Sequence, residues 1–238
     1  MYGVTQRKGI IVLTGEIGTG KTTLCRFFLN QISQHIGKDV KTALILNPYF
    51  SSVQLLEAII HDFGIIPKKK SKLGLVWELN QFLLKETESG NNVVLIIDEA
   101  QNLTAKQLEQ VRLLSNLETE KDKLLQIILV GQPELNQKLN QYDLRQLQQR
   151  ISVRYHIMPL DELEVHRYIL HRLKIAGSSR IKFSDEAIQL ITEFSHGTPR
   201  LINIICDRAL LAGFVAETDF IDAPIIKRCF DELSVLSS

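Results

Sequence analysis

Cysteine is scarce in this sequence, and the few that occur do not pair by spacing. Cys25, Cys206 and Cys229 make an odd count of 3. A disulfide framework or a zinc site is therefore not expected, and a reducing cytosol fits best. Each cysteine is read as a small apolar filler inside a helix. Excess charge is missing too: 28 basic residues face 27 acidic ones, a formal net charge of +1. That balance argues against a general polyanion-binding surface and leaves room only for a local basic patch. Long apolar runs are absent. The longest uninterrupted one, Val93–Ile97, falls far short of the ~20 residues that span a bilayer. Met1–Lys8 is polar and lacks the apolar segment of a secretory signal. There are no repeats and no low-complexity tracts. The one charge run, Lys68-Lys69-Lys70-Ser71-Lys72, reads as a solvated loop ahead of a helix. What is present is 238 residues, 45% of them hydrophobic. That suffices for one large domain, or a core with a small satellite, and is too apolar for disorder.

Short β-rich runs alternate with helical patterns. Ile10–Leu13, Thr42–Leu46, Val93–Ile97, Leu125–Val130 and Ser152–Ile157 read as strands. The second, third and fourth are near-continuous apolar runs, as expected of a parallel sheet covered on both faces. Ser51 with Gln54, and Thr104 with Gln107, form capping-box patterns ahead of apolar residues at helical spacing. Gly64 is placed to stop the first of these helices, and Lys72–Glu88 is a further amphipathic stretch closed by Gly90-Asn91-Asn92. This βαβ series predicts a doubly wound α/β layer. Beyond Pro159 no further strand is expected. Glu162–Ala176, Ser184–Phe194, Arg200–Ala216 and Ala223–Leu233 all read as helices. The expected organisation is an α/β core over residues 1–159 and a helical lid over 160–238.

The first strand runs into Gly15-Glu16-Ile17-Gly18-Thr19-Gly20-Lys21-Thr22, a complete G-x-x-x-x-G-K-[ST] phosphate loop, with Thr23 next in the same stretch. The chemistry requires these residue types. Glycines let successive backbone N–H groups turn inward around a β-phosphate without a Cβ in the way. The helix that starts near Lys21 adds its partial positive charge at the same point. The Lys21 ammonium then reaches the β- and γ-phosphates, and the Thr22 hydroxyl ligates Mg²⁺. A chance Gly-rich turn is the alternative, but this one lies between a strand and a helix, the context the chemistry needs. Val93–Ile97 ends in Asp98-Glu99. A buried strand that delivers two acids at its C-terminal edge puts Asp98 in the Mg²⁺ shell and Glu99 beside the attacking water.

Three further positions are candidates for responding to the nucleotide. Gln132 follows the strand Leu125–Val130 and could sense the γ-phosphate, or simply cap the helix that opens at Pro133. Asp143–Arg150 carries Arg145 and Arg150 just before the last strand. Either could be a surface charge or an arginine finger, since a rigid guanidinium can chelate a neighbour's phosphate. Gly197-Thr198-Pro199-Arg200 opens a lid helix. Pro199 suits its first turn, and Arg200 could point to the γ-phosphate.

Taken in order, these motifs resemble the AAA+ ATPases. The wording is similar to one branch of them. Lys8-Gly9 before the phosphate loop, Asp98-Glu99-Ala100-Gln101-Asn102-Leu103, Leu129-Val130-Gly131-Gln132-Pro133-Glu134-Leu135, Leu144-Arg145-Gln146-Leu147 and Gly197-Thr198-Pro199-Arg200-Leu201-Ile202-Asn203 look like the secretion-associated ExeA/GspA family and its MshM-like pilus-biogenesis relatives. The resemblance covers nearly the whole chain. It implies an AAA+ P-loop parallel-sheet core with a C-terminal all-helical lid, ATP or ADP with Mg²⁺ as cofactor, and a homo-oligomer with nucleotide between subunits. It further implies Lys21 and Thr22 as Walker A, Asp98 and Glu99 as Walker B, Gln132 as sensor 1, Arg150 as the finger ahead of Arg145, and Arg200 as sensor 2. Some members of the family carry a transmembrane segment and a periplasmic peptidoglycan-binding part after the ATPase, neither of which is in this sequence. About a dozen residues precede Gly15, where AAA+ proteins have an adenine-walling segment, so an excised domain with a weakened base pocket is expected.

Three functions compete at this point. The first is an ATPase that drives assembly of a secretion or pilus apparatus, cytoplasmic and held at the inner face of the inner membrane. The second is a DNA-bound regulator of the transposition type, because transposon ATPases use a similar Asp-Glu-Ala-Gln. It predicts a basic surface and salt-dependent DNA affinity, which near-neutral charge disfavours. The third is a nucleotide switch with little turnover, against which Glu99 argues.

Overall fold

A computed structural model of the chain describes residues 9–35, 40–68, 70–119, 123–178 and 180–235. The readings made on Met1–Lys8 and on Lys69 lie outside them. The chain divides into two compact units, Met1–Gly15 with Lys21–Ile157, and Glu16–Gly20 with Met158–Ser238.

The first unit holds five strands, β1 (Ile10–Gly15), β2 (Val40–Ile45), β3 (Asn92–Ile97), β4 (Gln126–Gly131) and β5 (Ile151–Ile157). They lie in the order β2-β3-β4-β1-β5, and every neighbouring pair is parallel. Parallel neighbours need crossovers, and the helices α1 (Lys21–His35), α2 (Ser52–Asp62), α3 (Lys72–Glu88), α4 (Ala105–Leu114), α5 (Glu134–Leu139) and α6 (Arg145–Gln148) lie on those connections. The continuous apolar runs have a period-2 explanation. Leu95, Ile97, Ile127 and Leu129 face the larger core, with Leu55, Leu79 and Leu108 from the helices. Val94, Ile96, Ile128 and Val130 face the other side, against Cys25, Phe28 and Leu29 of α1. Both faces are buried, so Val93–Ile97 and Ile127–Val130 are apolar throughout.

β2 departs from the expected pattern. Only its Ala43 and Ile45 are buried, while Val40, Lys41, Thr42 and Leu44 stay partly exposed. The physical reason is position, because β2 is an edge strand and an edge strand has a neighbour on one side only. The helix starts agree with the caps. Ser51 and Thr104 each close a full capping box, with Gln54 and Gln107. A cap of this kind stabilises by about 1 kcal/mol. Because all five strands run the same way, Gly15, Asp98 and Gln132 emerge together at the C-terminal edge of the sheet, where open α/β sheets bind ligands.

The second unit is helical. α7 (Glu162–Ile175), α8 (Asp185–Ser195), α9 (Pro199–Val215) and α10 (Ala223–Val235) pack Val165, Ile169, Ile188, Ile191, Ile202, Ile205 and Ile226 into one core. Asp161 caps α7 in a box with Glu164, and Pro199 occupies the first turn of α9. One feature falls outside the expectation that strands end at Pro159. β6 (Lys182–Phe183) pairs in parallel with β7 (Phe220–Ile221). Two residues are too few to leave any periodicity in the sequence. The three cysteines are free and sit in helices, Cys25 and Cys229 buried and Cys206 partly so.

Candidate active site

The loop Glu16–Gly20 leaves β1 and enters α1. Its turn is closed by Thr19, whose N–H and Oγ1 both donate to the Glu16 carbonyl, at 3.3 and 2.8 Å. Gly18 has φ +84, and a Cβ there would lie 2.8 Å from the Cβ of Arg200 and 3.0 Å from Cγ2 of Thr198. Only glycine satisfies both the backbone and the contact. The Arg200 N–H donates to the Gly18 carbonyl at 3.2 Å, so the backbone of Arg200 meets the loop. Lys21 is only 6% exposed, and its ammonium donates to the Gly15 carbonyl at 2.9 Å. A buried cation at the N-terminus of a 15-residue helix with no acid in its first turn makes this point strongly attractive to an anion.

Thr22 follows, and its hydroxyl donates to Oδ2 of Asp98 across 76 residues of chain. Asp98 is 2% exposed. Its N–H still donates to the Ile45 carbonyl, and its Oδ1 accepts the Glu99 N–H at 2.9 Å. The buried carboxylate is thus satisfied from two sides. Thr22 and Asp98 together offer two hard oxygens, the kind of donor Mg²⁺ takes alongside phosphate oxygens and water. Asp98 also acts on Cys25, whose thiol is pushed up to about 12 by burial first and by the Asp98 charge second.

Glu99 has left-handed backbone, φ 52 and ψ 38, at the entry to a 3₁₀ turn, Ala100–Asn102. For a glutamate this conformation is sparsely populated and is held by its surroundings. Its Oε2 accepts from Nε2 of Gln101 and, at 3.3 Å, from Nε2 of Gln132. Gln101 in turn accepts the Gln132 N–H on Oε1 at 3.1 Å. Lys138 of α5 clamps the turn from below, donating to the carbonyls of Gln101 and Leu103. A polar chain also runs beside β1. Asn136 donates to Oγ1 of Thr14 at 3.1 Å, and Thr14 pairs with Nδ1 of His156 at 3.0 Å.

The first unit thus joins Thr22 to Asp98 and Glu99 to Gln132. Gln132 does not cap a helix with its side chain. α5 opens at Glu134 behind Pro133, and the Gln132 carbonyl accepts the Leu135 N–H at 2.9 Å. The two arginines before β5 stand elsewhere. Arg150 is partly buried and precedes Ile151, which pairs with Ile10 at the start of β1. It therefore lies at the N-terminal edge of the sheet, a strand length of roughly 20 Å from the edge that carries Gly15 and Asp98. Arg145 is exposed, with its guanidinium 4.4 Å from the centre of the Tyr142 ring. Lys138, Thr14, Asn136 and His156 belong to no motif of the sequence, and Gln101 stands in it only as a member of the stretch Asp98–Leu103, without a role of its own. For Gln101 the available signal was an amide two positions after the acid pair.

A parallel sheet, a strand-loop-helix phosphate loop and an acid pair at the next-but-one strand define a P-loop nucleotide hydrolase. Residues 4–139 match the family model described as AAA domain, and the chain belongs to that family, as an ATPase. It is 46% identical over 214 residues to general secretion pathway protein A of Aeromonas hydrophila, covering 90% of this chain. The chain spans 38% of that relative's length. Solved structures share the fold. ORC2 of Aeropyrum pernix, in ADPNP-ADP complexes, superposes with TM-score 0.72 at 16% identity, covering 97% of this chain and 64% of that one. Cdc6p of Pyrobaculum aerophilum gives TM-score 0.69 at 20% identity over 94% of this chain and 60% of that one. The RuvB Holliday junction branch migration motor of Thermotoga maritima gives 0.64 at 18% identity over 98% and 66%. Among the described residues no helix is long and apolar enough to cross a membrane.

Proposed function

We propose that this ATPase domain binds ATP with Mg²⁺ along Gly15–Thr23, hydrolyses it, and couples the cycle to assembly of a secretion or pilus apparatus in a bacterial envelope. The observation that carries the catalytic part is the hydrogen bond from Thr22 to Asp98. It joins the end of the phosphate loop to the end of β3, beside a glutamate held in strained backbone. The 46% identity to general secretion pathway protein A supports the cellular part. The domain acts as a homo-oligomer with nucleotide between subunits, on the cytoplasmic side of the inner membrane.

The residues divide the work by chemistry. Loop amides and the Lys21 ammonium bind phosphate oxygens. Thr22 and Asp98 would hold Mg²⁺, which neutralises charge on the transferred phosphate when bound. Glu99 accepts the proton of the attacking water. Gln132 orients that water through its amide, Arg200, whose N–H meets the Gly18 carbonyl, contacts the γ-phosphate, and Arg150 reaches the site of a neighbouring subunit.

The test pairs fluorescent-nucleotide titration with phosphate release, with and without a chelator of divalent cations. Thr22→Ala and Asp98→Asn are expected to bind ATP less tightly with Mg²⁺ present and to match the parent once it is chelated. Mg²⁺-independent differences would remove the metal assignment. A pull-down of envelope-assembly proteins from nucleotide-trapped Glu99→Gln addresses coupling, and no ATP-dependent partner would count against it.

A further inference from the structure

We propose that Gln101 is a positioning residue for hydrolysis. Its side-chain amide holds one carboxylate oxygen of Glu99 so that the other is left to take the water's proton. The proposal rests on Glu99 being the base.

The orientation of the Gln101 amide follows from its partners. The Gln132 N–H can only donate, so the atom facing it at 3.1 Å is the carbonyl oxygen Oε1. That leaves Nε2 facing Glu99, where it donates to Oε2. The Gln132 amide donates to the same Oε2 at 3.3 Å. Two donors thus converge on a single carboxylate oxygen, and no hydrogen bond to Oε1 of Glu99 forms among the described residues. A carboxylate bound this way cannot rotate its free oxygen away without breaking a charge-assisted bond, which is among the stronger contacts a side chain makes.

Gln101 is itself pinned. Its main-chain carbonyl accepts from Lys138, and its amide packs onto Gly131, where a Cβ would come within 2.7 Å of Oε1 and 3.3 Å of the Gln101 nitrogen. The absent side chain at Gly131 is the space Gln101 fills. Glu99 carries left-handed backbone, which does not persist on its own account. The end of β4 therefore sets Gln101, and Gln101 sets the base. Side-chain amides of this kind add geometry without adding charge, which suits a group that must stay a proton acceptor.

Two substitutions separate positioning from a structural clip. Gln101→Glu keeps the acceptor for the Gln132 N–H but loses the donor and sets a carboxylate against Glu99. Gln101→Met removes both bonds at nearly constant volume and decides the matter if the first variant does not fold. The expected result for each is a kcat lower by about ten- to a hundredfold with KM within about threefold of the parent. In a Glu99→Gln background, Gln101→Met is expected to leave the residual single-turnover rate unchanged. Parent-like or raised kcat overturns the proposal, as does a loss shared between kcat and KM or one that adds to Glu99→Gln. If Glu99→Gln alone keeps the parent rate, the assignment of the base fails by itself. If Glu99→Gln is inactive while both Gln101 variants turn over normally, only the present proposal falls.

Discussion

Lys21 and Glu99 carry opposite charges and are expected to fail in opposite ways. Lys21 would contact phosphate in the ground state, so Lys21→Ala is expected to weaken ATP binding about ten- to a hundredfold. Glu99 would touch the water and not the phosphates, so Glu99→Gln is expected to bind normally and lose turnover. Equilibrium titration beside phosphate release checks the pair. The thiols give a pH prediction. Cys25 and Cys206 are each pushed up to about 12 from 9.0, by burial first and then by Asp98 and Asp207 respectively. In the unfolded chain they release protons first, so the stability they contribute is complete below pH 9 and is lost as pH rises towards 12. Urea midpoints are expected to fall above pH 9, and the double variant Cys25→Ala, Cys206→Ala to flatten that limb. At this scale the sequence was legible wherever chemistry demands a residue type at a spacing, as from Gly15 to Thr22. It was silent where partners meet through the fold. The Gln101–Gln132 bond spans 31 residues and the Thr14–His156 pair spans 142, and no local pattern records either.

Elements were legible in proportion to their length and their caps. α2 and α4 begin where Ser51 and Thr104 say they must, because a capping box is a local contract between residues three apart. α6 spans 4 residues, too short for a 3.6-residue period to declare itself, and α5, of 6 residues, is marked in the sequence only by Pro133 at its start. β2 read as doubly covered because its apolar residues are contiguous, yet strand order, which decides who is an edge, is not written in any one strand. The end of β4 offers a test at this level. A Cβ on Gly131 would lie 2.7 Å from Gln101 Oε1 and 3.0 Å from Cδ2 of Leu135. Gly131→Ala is expected to lower the thermal midpoint by a few degrees, equivalent to about 1–3 kcal/mol of overpacking, and to reduce kcat more than KM. A variant with a lowered midpoint and full kcat would show that β4 supports the sheet without reaching Glu99.

For the whole molecule the decisive residue is Arg150. It stands before β5 at the N-terminal edge of the sheet, while Gly15, Asp98 and Gln132 leave from the C-terminal edge. Strands of this length hold those edges roughly 20 Å apart, beyond the reach of one arginine side chain. If Arg150 takes part in hydrolysis, it does so in another subunit's site. Specific activity is then expected to rise with protein concentration, since an isolated subunit lacks the guanidinium. Arg150→Ala is expected to bind ATP like the parent and to lose turnover, as fingers of this kind supply roughly 10³–10⁵ in rate. Mixing Arg150→Ala with Glu99→Gln is expected to restore part of the activity, because one subunit keeps the base and the other the arginine. Arg145 serves as the control. It stacks on Tyr142 at 4.4 Å, which gives it a partner of its own and no need of a phosphate. Loss of activity in Arg145→Ala with normal turnover in Arg150→Ala would move the finger by five positions. Normal turnover in both, at concentrations where the parent's activity has reached its plateau, would mean that each subunit hydrolyses ATP without its neighbour.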